Sequence, residues 1–347
     1  MINVEQIKLN IPINKNKKTC ISIIKSLNYS CMNNIKICNK IKEIPYNIIR
    51  YDIIQKCTPV KIREITKRGK ITEIPLIDNE EKLVQLQYDN KKYDYQYFVN
   101  YLNEIKSFKI LFLTILESYT FLSESIELLN KNGICYLNLN KHNIIIYNSY
   151  IDFYPLLINF SNSIYFKNDS VDNNKDIYNF IINTEYTNLY PLELYVISYL
   201  NEHDESLSYS SIETICNRYI ENTNINCLHI LSETYRTKYY NSSIDFLKQY
   251  INKPKQFIIN ELIKYWRTWD MYSIGIFYLY IVGNIKRTLN LKETVVDNFI
   301  YLLNININPN PLNRNNKLLN SSSNWDFVNE ITDEIFEKSN LRFNRFP

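Results

Sequence analysis

Tyr136-Leu137-Asn138-Leu139-Asn140-Lys141-His142-Asn143 is the stretch whose surroundings decide the fold. Upstream, Ile105–Asn132 carries apolar residues at 110, 111, 113, 115, 116, 119, 121, 122, 126, 128 and 129, the pattern of one long amphipathic helix. Asn132-Gly133 ends it as a C-cap glycine should. Downstream come two short apolar runs, Ile144-Ile145-Ile146 and Leu156–Phe160, joined through an Asn148-Ser149 turn. The eight residues therefore form an irregular loop between a long helix and a pair of short strands. Their content is polar amides on a frame of two leucines.

Further out, the first 90 residues read as short elements. Ile21–Leu27 reads as a strand, Asn33–Ile44 as a helix, Val60–Ile65 and Ile71–Ile74 as a hairpin around Arg68-Gly69, and Leu83–Leu86 as another strand. From residue 93 the pattern turns helical, beginning with Tyr95–Leu102. Helical pieces resume after 175. Pro254 marks the start of one of them, Trp269–Val282 is the most apolar, and Trp325–Lys338 is the last. A strand-rich beginning followed by a helical remainder predicts the α+β class.

Bulk properties exclude several functions. The 347 residues carry 40 Lys plus Arg against 36 Asp plus Glu, a net charge of +4 that supplies no field for nucleic acid. No run approaches the 18 apolar residues that a membrane span needs, and MINVEQIKLN lacks the apolar centre of a signal peptide. Seven cysteines at 20, 31, 38, 57, 135, 216 and 227 form no C-x-x-C pair, which argues against zinc and for reduced thiols in an intracellular setting. Asn, Ile, Lys and Tyr abound, Gly occurs four times and Ala not at all, the signature of AT-rich codons.

The loop frame resembles the H-R-D-L-x-x-x-N catalytic loop of protein kinases, with Leu139 and Asn143 kept and Asn138 in the aspartate slot. Other pieces follow in the same order. Leu157-Ile158-Asn159-Phe160-Ser161 resembles the strand into D-F-G with Phe160 kept, and Pro191-Leu192-Glu193 resembles A-P-E with Glu193 kept. Asp270 to Gly275 looks like the D-x-W-S-x-G start of the central C-lobe helix, and Asn310–Arg314 looks like the DPxxR turn. The resemblance implies a two-lobed protein-kinase-like fold: a small mixed N-lobe over residues 1–88 and a mainly helical C-lobe over 89–347. Glu193 and Asp270 lie 77 residues apart, further than that frame needs, so a helical insert is expected over about 199–261. With this composition, the chain is similar to kinase-like proteins of large AT-rich DNA viruses, which implies host cytoplasm or the virion as its location.

The same resemblance assigns residues to roles. Asn138 and Asn143 hold the catalytic positions, and Asn143 and Asn159 the two Mg²⁺ positions. Lys25, Gln87, Tyr88, Asn143 and Asn159 hold the nucleotide positions. Phe160, Glu193, Asp270, Gly275 and Arg314 hold structural ones, with Glu193 and Arg314 expected to pair. The chemistry is missing from several of these. An amide at 138 cannot accept the hydroxyl proton, and losing a general base costs on the order of 10²–10⁴ in rate. Asn159 offers Mg²⁺ a neutral oxygen where the ion prefers a carboxylate. No Gly precedes Gly69, so a glycine-rich phosphate loop is absent, and no Glu or Asp lies between Glu5 and Glu43 to pair with Lys25. The expected protein is a pseudokinase that binds a protein partner and needs no cofactor. One alternative is an active Ser/Thr kinase using ATP and Mg²⁺, with Asp152 as the replacement carboxylate. Another is a structural or virion-associated helical protein.

Overall fold

The computed structural model describes residues 7–9, 21–60, 82–88, 95–148, 153–167, 189–203, 206–221, 233–289 and 295–314. The chain is a mixed α+β protein that divides into two compact units. The first holds the residues up to Gln96 together with Ile145–Ser163; the second holds Tyr97–Ile144 and the residues from Ile164 onward.

In the first unit, strands β1 (Ile7–Leu9), β2 (Ile21–Ser26), β3 (Ile54–Val60) and β4 (Leu83–Tyr88) form an antiparallel sheet in the order β1-β2-β4-β3. Pro59 sits in β3, an edge strand, where its missing N–H breaks no interior ladder. Between β2 and β3 runs helix α1 (Tyr29–Ile41), capped by Asn28, whose Oδ1 accepts from Cys31 N at 2.9 Å. It starts four residues before the helix expected from the isoleucine spacing, because that cap lies upstream of the first isoleucine. Its buried positions, Cys31, Asn34, Ile37, Cys38 and Ile41, recur at helical intervals. A single turn, α2 (Asn47–Arg50), follows. Strand β5 (Tyr95–Tyr97) joins β7 (Ile144–Asn148) and β8 (Phe153–Leu157) in a sheet ordered β5-β7-β8.

Two expectations are corrected here. Residues 95–97 are strand, and the helix begins only at Phe98, because Tyr-Gln-Tyr suits a sheet edge and pairs beside β7. The strand read over Leu156–Phe160 stops at Leu157, since Asn159 adopts φ +61°, which no strand can carry. Of the hairpin expected around Arg68-Gly69 only Val60 is described, as the last residue of β3; the rest of that hairpin, the 325–338 helix and Asp152 lie outside the described residues.

The second unit is built on helices. After α3 (Phe98–Leu102), α4 (Phe108–Lys131) buries Leu111, Ile115, Tyr119, Leu122, Ile126 and Leu129 along one stripe. Gly133, at φ +75°, then turns the chain into β6 (Ile134–Cys135), which pairs with β9 (Ile164–Tyr165). The later helices are α5 (Leu192–Glu202), α6 (Tyr209–Glu221), α7 (Glu233–Leu247), α8 (Lys255–Ile263), α9 (Trp269–Leu289) and α10 (Val295–Asn306). Pro254 is the N-cap of α8. Helix α9 is the axis of this unit, with Trp269, Tyr272, Ile274, Phe277, Tyr278, Leu279, Ile281 and Val282 fully buried. Helices α6 to α8 pack into the unit through α5, so the segment expected as an insert shares its core. Among the described residues no helix is long and apolar enough to cross a membrane.

Candidate functional site

The loop 136–143 is fixed from below by Asp270, the second residue of α9. Its carboxylate accepts from Tyr136 N at 2.7 Å and from Leu137 N at 2.8 Å. These two bonds hold Leu137 at φ +53°, a conformation that a leucine does not adopt without support. Burial raises the Asp270 carboxyl to about 6; the two backbone N–H groups and the Cys135 thiol pull it down but do not offset the desolvation. The loop is held from the side as well, since buried Tyr190 donates its hydroxyl to Leu137 O at 3.2 Å.

Within that frame Asn138 and Asn143 come together. Asn143 Nδ2 donates to Asn138 O at 2.9 Å, the Tyr136 hydroxyl donates to Asn143 O at 3.5 Å, and both asparagine side chains are buried. Asn140 Oδ1 closes the turn by accepting from His142 N at 2.9 Å. The loop thus holds neutral amides at Asn138 and Asn143, two of the three positions read from the sequence as catalytic or metal-binding. Among the described residues, no three His, Cys, Asp or Glu side chains lie close enough to hold a metal ion.

Four of the residues read as structural, Glu193, Asp270, Gly275 and Arg314, belong to the second unit. Arg314 and Glu193 form a bidentate pair, Nη1 to Oε1 at 2.7 Å and Nη2 to Oε2 at 2.8 Å, with both side chains excluded from water. Arg314 also donates from Nε to Asn308 O at 2.7 Å and from Nη1 to Thr268 Oγ1 at 3.0 Å, and its guanidinium lies 5.0 Å from the centre of the Tyr272 ring. Burial works against the guanidinium's charge, but the Glu193 carboxylate outweighs it and leaves Arg314 raised. Gly275 lets α9 approach α10: a Cβ there would stand 2.8 Å from Ile307 Cγ2 and 3.3 Å from Asn306 Cβ.

The first unit carries the remaining positions. The β2–β4 register pairs Lys25 with Val84, Ser22 with Gln87 and Ile21 with Tyr88. Lys25 and Tyr88 therefore share the face that meets α1, where Tyr88 interacts with Asn34 and Lys25 bears electrostatically on the Cys31 thiol. Gln87 points to the opposite face, so the register separates it from Lys25. Burial drives Tyr88 and Cys31 towards their neutral forms.

Phe160 and the residues just after it are held by α1. Asn34 Oδ1 accepts from Phe160 N at 3.0 Å, and Asn33 Nδ2 donates to Ser161 O and Ser163 O, each at 2.8 Å. Phe160 is fully buried, edge-on to Tyr51 at 6.1 Å. The left-handed Asn159 lies directly before this clasp, and asparagine is among the few residues that take that conformation readily. Sequence reasoning did not reach Asn33, Asn34 or the anchoring role of Tyr190. One signal was available: Asn34 falls on the buried stripe of a helix that lacks any acid. Compared with known proteins, the chain matches no family model and no curated protein.

Proposed function

We propose that this chain is a pseudokinase, a kinase-like scaffold that has lost phosphoryl transfer and works by binding another protein. The observation that carries the reading is the Tyr136–Asn143 loop. Its backbone is positioned by the Asp270 carboxylate and by the Asn143 amide, as a loop that must place a side chain with care would be. Yet the side chain so placed, Asn138, has no basicity. The buried Glu193–Arg314 pair supports the same reading, because it joins the two residues that the kinase resemblance expects to meet. So does α1, which follows the Lys25 strand and carries no acid that could pair with that lysine, its one buried polar residue being the neutral Asn34.

Phosphoryl transfer relies on positioning and electrostatics, so removing the base, a metal carboxylate and the lysine's partner removes most of what the scaffold could contribute. The scaffold that remains is a surface for recognition. The test is the thermal midpoint of the full chain with and without Mg·ATP, run beside an autophosphorylation assay. The expected outcome is an unchanged midpoint and no incorporated phosphate. Phosphate incorporation abolished by Asn143→Ala would overturn the proposal in favour of an active enzyme.

A further inference from the structure

The net charge of +4 hides an uneven division. The first unit, Met1–Gln96 with Ile145–Ser163, carries 18 Lys plus Arg against 11 Asp plus Glu, a balance of +7. The second carries 22 against 25, a balance of −3. Over the described stretch 21–60 the cations are Lys25, Lys36, Lys40, Lys42, Arg50 and Lys56, and the acids are Glu43 and Asp52. Two acids can neutralise at most two of six cations, so the surplus survives whatever pairs form within the stretch.

The same stretch bears the unit's exposed apolar side chains. Among the described residues of the first unit, the large hydrophobic side chains open to solvent are Tyr29, Met32, Tyr46, Ile48 and Ile49. The last three sit together, with Tyr46 81% exposed, Ile48 53% and Ile49 42%, and α2 has no buried residue. Single exposed hydrophobes need no explanation; three within four positions do.

The turn is braced to hold them outward. Asn47 Nδ2 donates to Ile44 O at 2.8 Å and to Lys42 O at 3.1 Å, around a Tyr46 whose backbone is left-handed at φ +59°. A tyrosine takes that conformation at a cost. Exposed Lys42 stands beside it, and its Nζ donates to Asn39 Oδ1 at 3.1 Å and to Gln55 O at 3.0 Å, neutral groups that leave its charge undiminished.

These two features together select what covers the turn. Isoleucines gain nothing from a phosphate backbone, which argues against nucleic acid, and the cations argue against a neutral apolar partner. Protein interfaces are depleted in Lys, whereas five of the six cations here are Lys. A bilayer also needs no groove to receive side chains that stand clear of the surface. Tyr and Ile enter it at headgroup level, and lysines meet anionic lipid as point charges.

Beyond the protein-binding reading above, we infer that the Lys42–Arg50 turn docks the first unit on an anionic membrane surface, with Tyr46, Ile48 and Ile49 entering the headgroup layer and the surrounding lysines on lipid headgroups. Attachment of this kind lies on the bilayer and needs no spanning helix. Neither Asn138 nor Asn159 takes part, so the inference is testable apart from any question of catalysis.

The test is co-sedimentation of the full chain with phosphatidylcholine vesicles containing about one-third phosphatidylserine. Binding is expected, at least about ten-fold weaker to phosphatidylcholine alone and in about 1 M salt, where screening shortens electrostatic reach to about 3 Å. Lys42→Gln should weaken it about five-fold, one basic residue's share at an anionic surface. The double variant Ile48→Ser, Ile49→Ser should weaken it at least about ten-fold and leave the thermal midpoint unchanged, since both side chains already stand in water. Tyr46→Gly removes the ring and relieves the left-handed backbone, so binding should fall while the midpoint holds or rises. No sedimentation with the anionic vesicles overturns the proposal, and so does equal sedimentation with both kinds. Full binding by the double isoleucine variant overturns the turn as the inserted element. If the vesicles fail and poly-glutamate is bound with the same dependence on Ile48 and Ile49, the face belongs to an acidic protein and the membrane is overturned. A Mg·ATP shift would defeat the pseudokinase reading and leave each of these comparisons unchanged.

Discussion

Arg314 meets Glu193 across 121 positions of sequence through two parallel hydrogen bonds of 2.7 and 2.8 Å, entirely out of water. A buried pair of this kind is costly to break because each partner strands a charge. Arg314→Met and Glu193→Leu should each lower the unfolding free energy by about 3–5 kcal/mol in urea titrations. The double variant, with no charge left to strand, should be more stable than either single one. A double variant destabilised by the full sum of the singles would show that the two residues are not energetically coupled.

Asp270 gives stability a pH dependence whose sign is fixed. Burial lifts its carboxyl from 3.8 to about 6, so the native state binds this proton more tightly than the unfolded chain does. The contribution is complete below about pH 4 and is lost as pH rises through about 6. The unfolding free energy of wild type minus Asp270→Asn should therefore be most favourable near pH 4. It should decline by a few kcal/mol towards neutrality, since each tenfold difference in proton affinity between the two states is worth about 1.4 kcal/mol. A flat difference across that range would show that Asp270 titrates normally.

Asn34 holds the amide of Phe160, and Asn33 holds the carbonyls of Ser161 and Ser163. Asn34→Leu leaves the Phe160 N–H buried without its acceptor, at a cost of about 1–3 kcal/mol. Hydrogen exchange over residues 158–163 should accelerate accordingly, well before global unfolding. Unchanged protection would mean that packing of Phe160 alone holds the segment.

Two glycines are predicted to resist substitution for different reasons. Gly133→Ala meets both the left-handed backbone and a Cβ only 2.5 Å from Phe166 O, so a loss above about 1–2 kcal/mol is expected. Gly275→Ala has an ordinary helical backbone and meets the Ile307 side chain instead, for an overpacking cost of about 1–3 kcal/mol. Truncating Ile307 to Ala should relieve the second variant and not the first, as thermal midpoints would show.

Three hydroxyls link α6, α7 and α9. Tyr219 bonds Tyr272 and, at 2.9 Å, Tyr239, and Tyr239 donates to Ile307 O at 2.8 Å. All three side chains are buried. Tyr239→Phe should cost about 1–3 kcal/mol, because the Ile307 carbonyl loses its donor and Tyr219 loses a partner. A neutral result in chemical denaturation would show that the cluster relaxes to satisfy itself.

The residues of 136–143 and the periodicity around them determined a good deal unaided. Apolar spacing identified the helix of 108–131, the glycine that ends it and the short strand after the loop, because burying a stripe or a strand face leaves a local record. Side-chain chemistry likewise made Asn138 neutral whatever surrounds it. What the tertiary structure alone decided were the long-range partners. The expectation that Glu193 meets Arg314 came from resemblance, and only folding brought the two within 3 Å. The role of Asn34 had no sequence signal beyond a polar residue on an apolar stripe, since in an asparagine-rich chain one more asparagine says nothing. The face that Lys25 shares with Tyr88, and not with Gln87, required the strand register, because a shift of one residue reverses every side chain. Local patterns record what a segment buries; which distant group it is buried against depends on packing, and packing is settled only when the whole chain closes on itself.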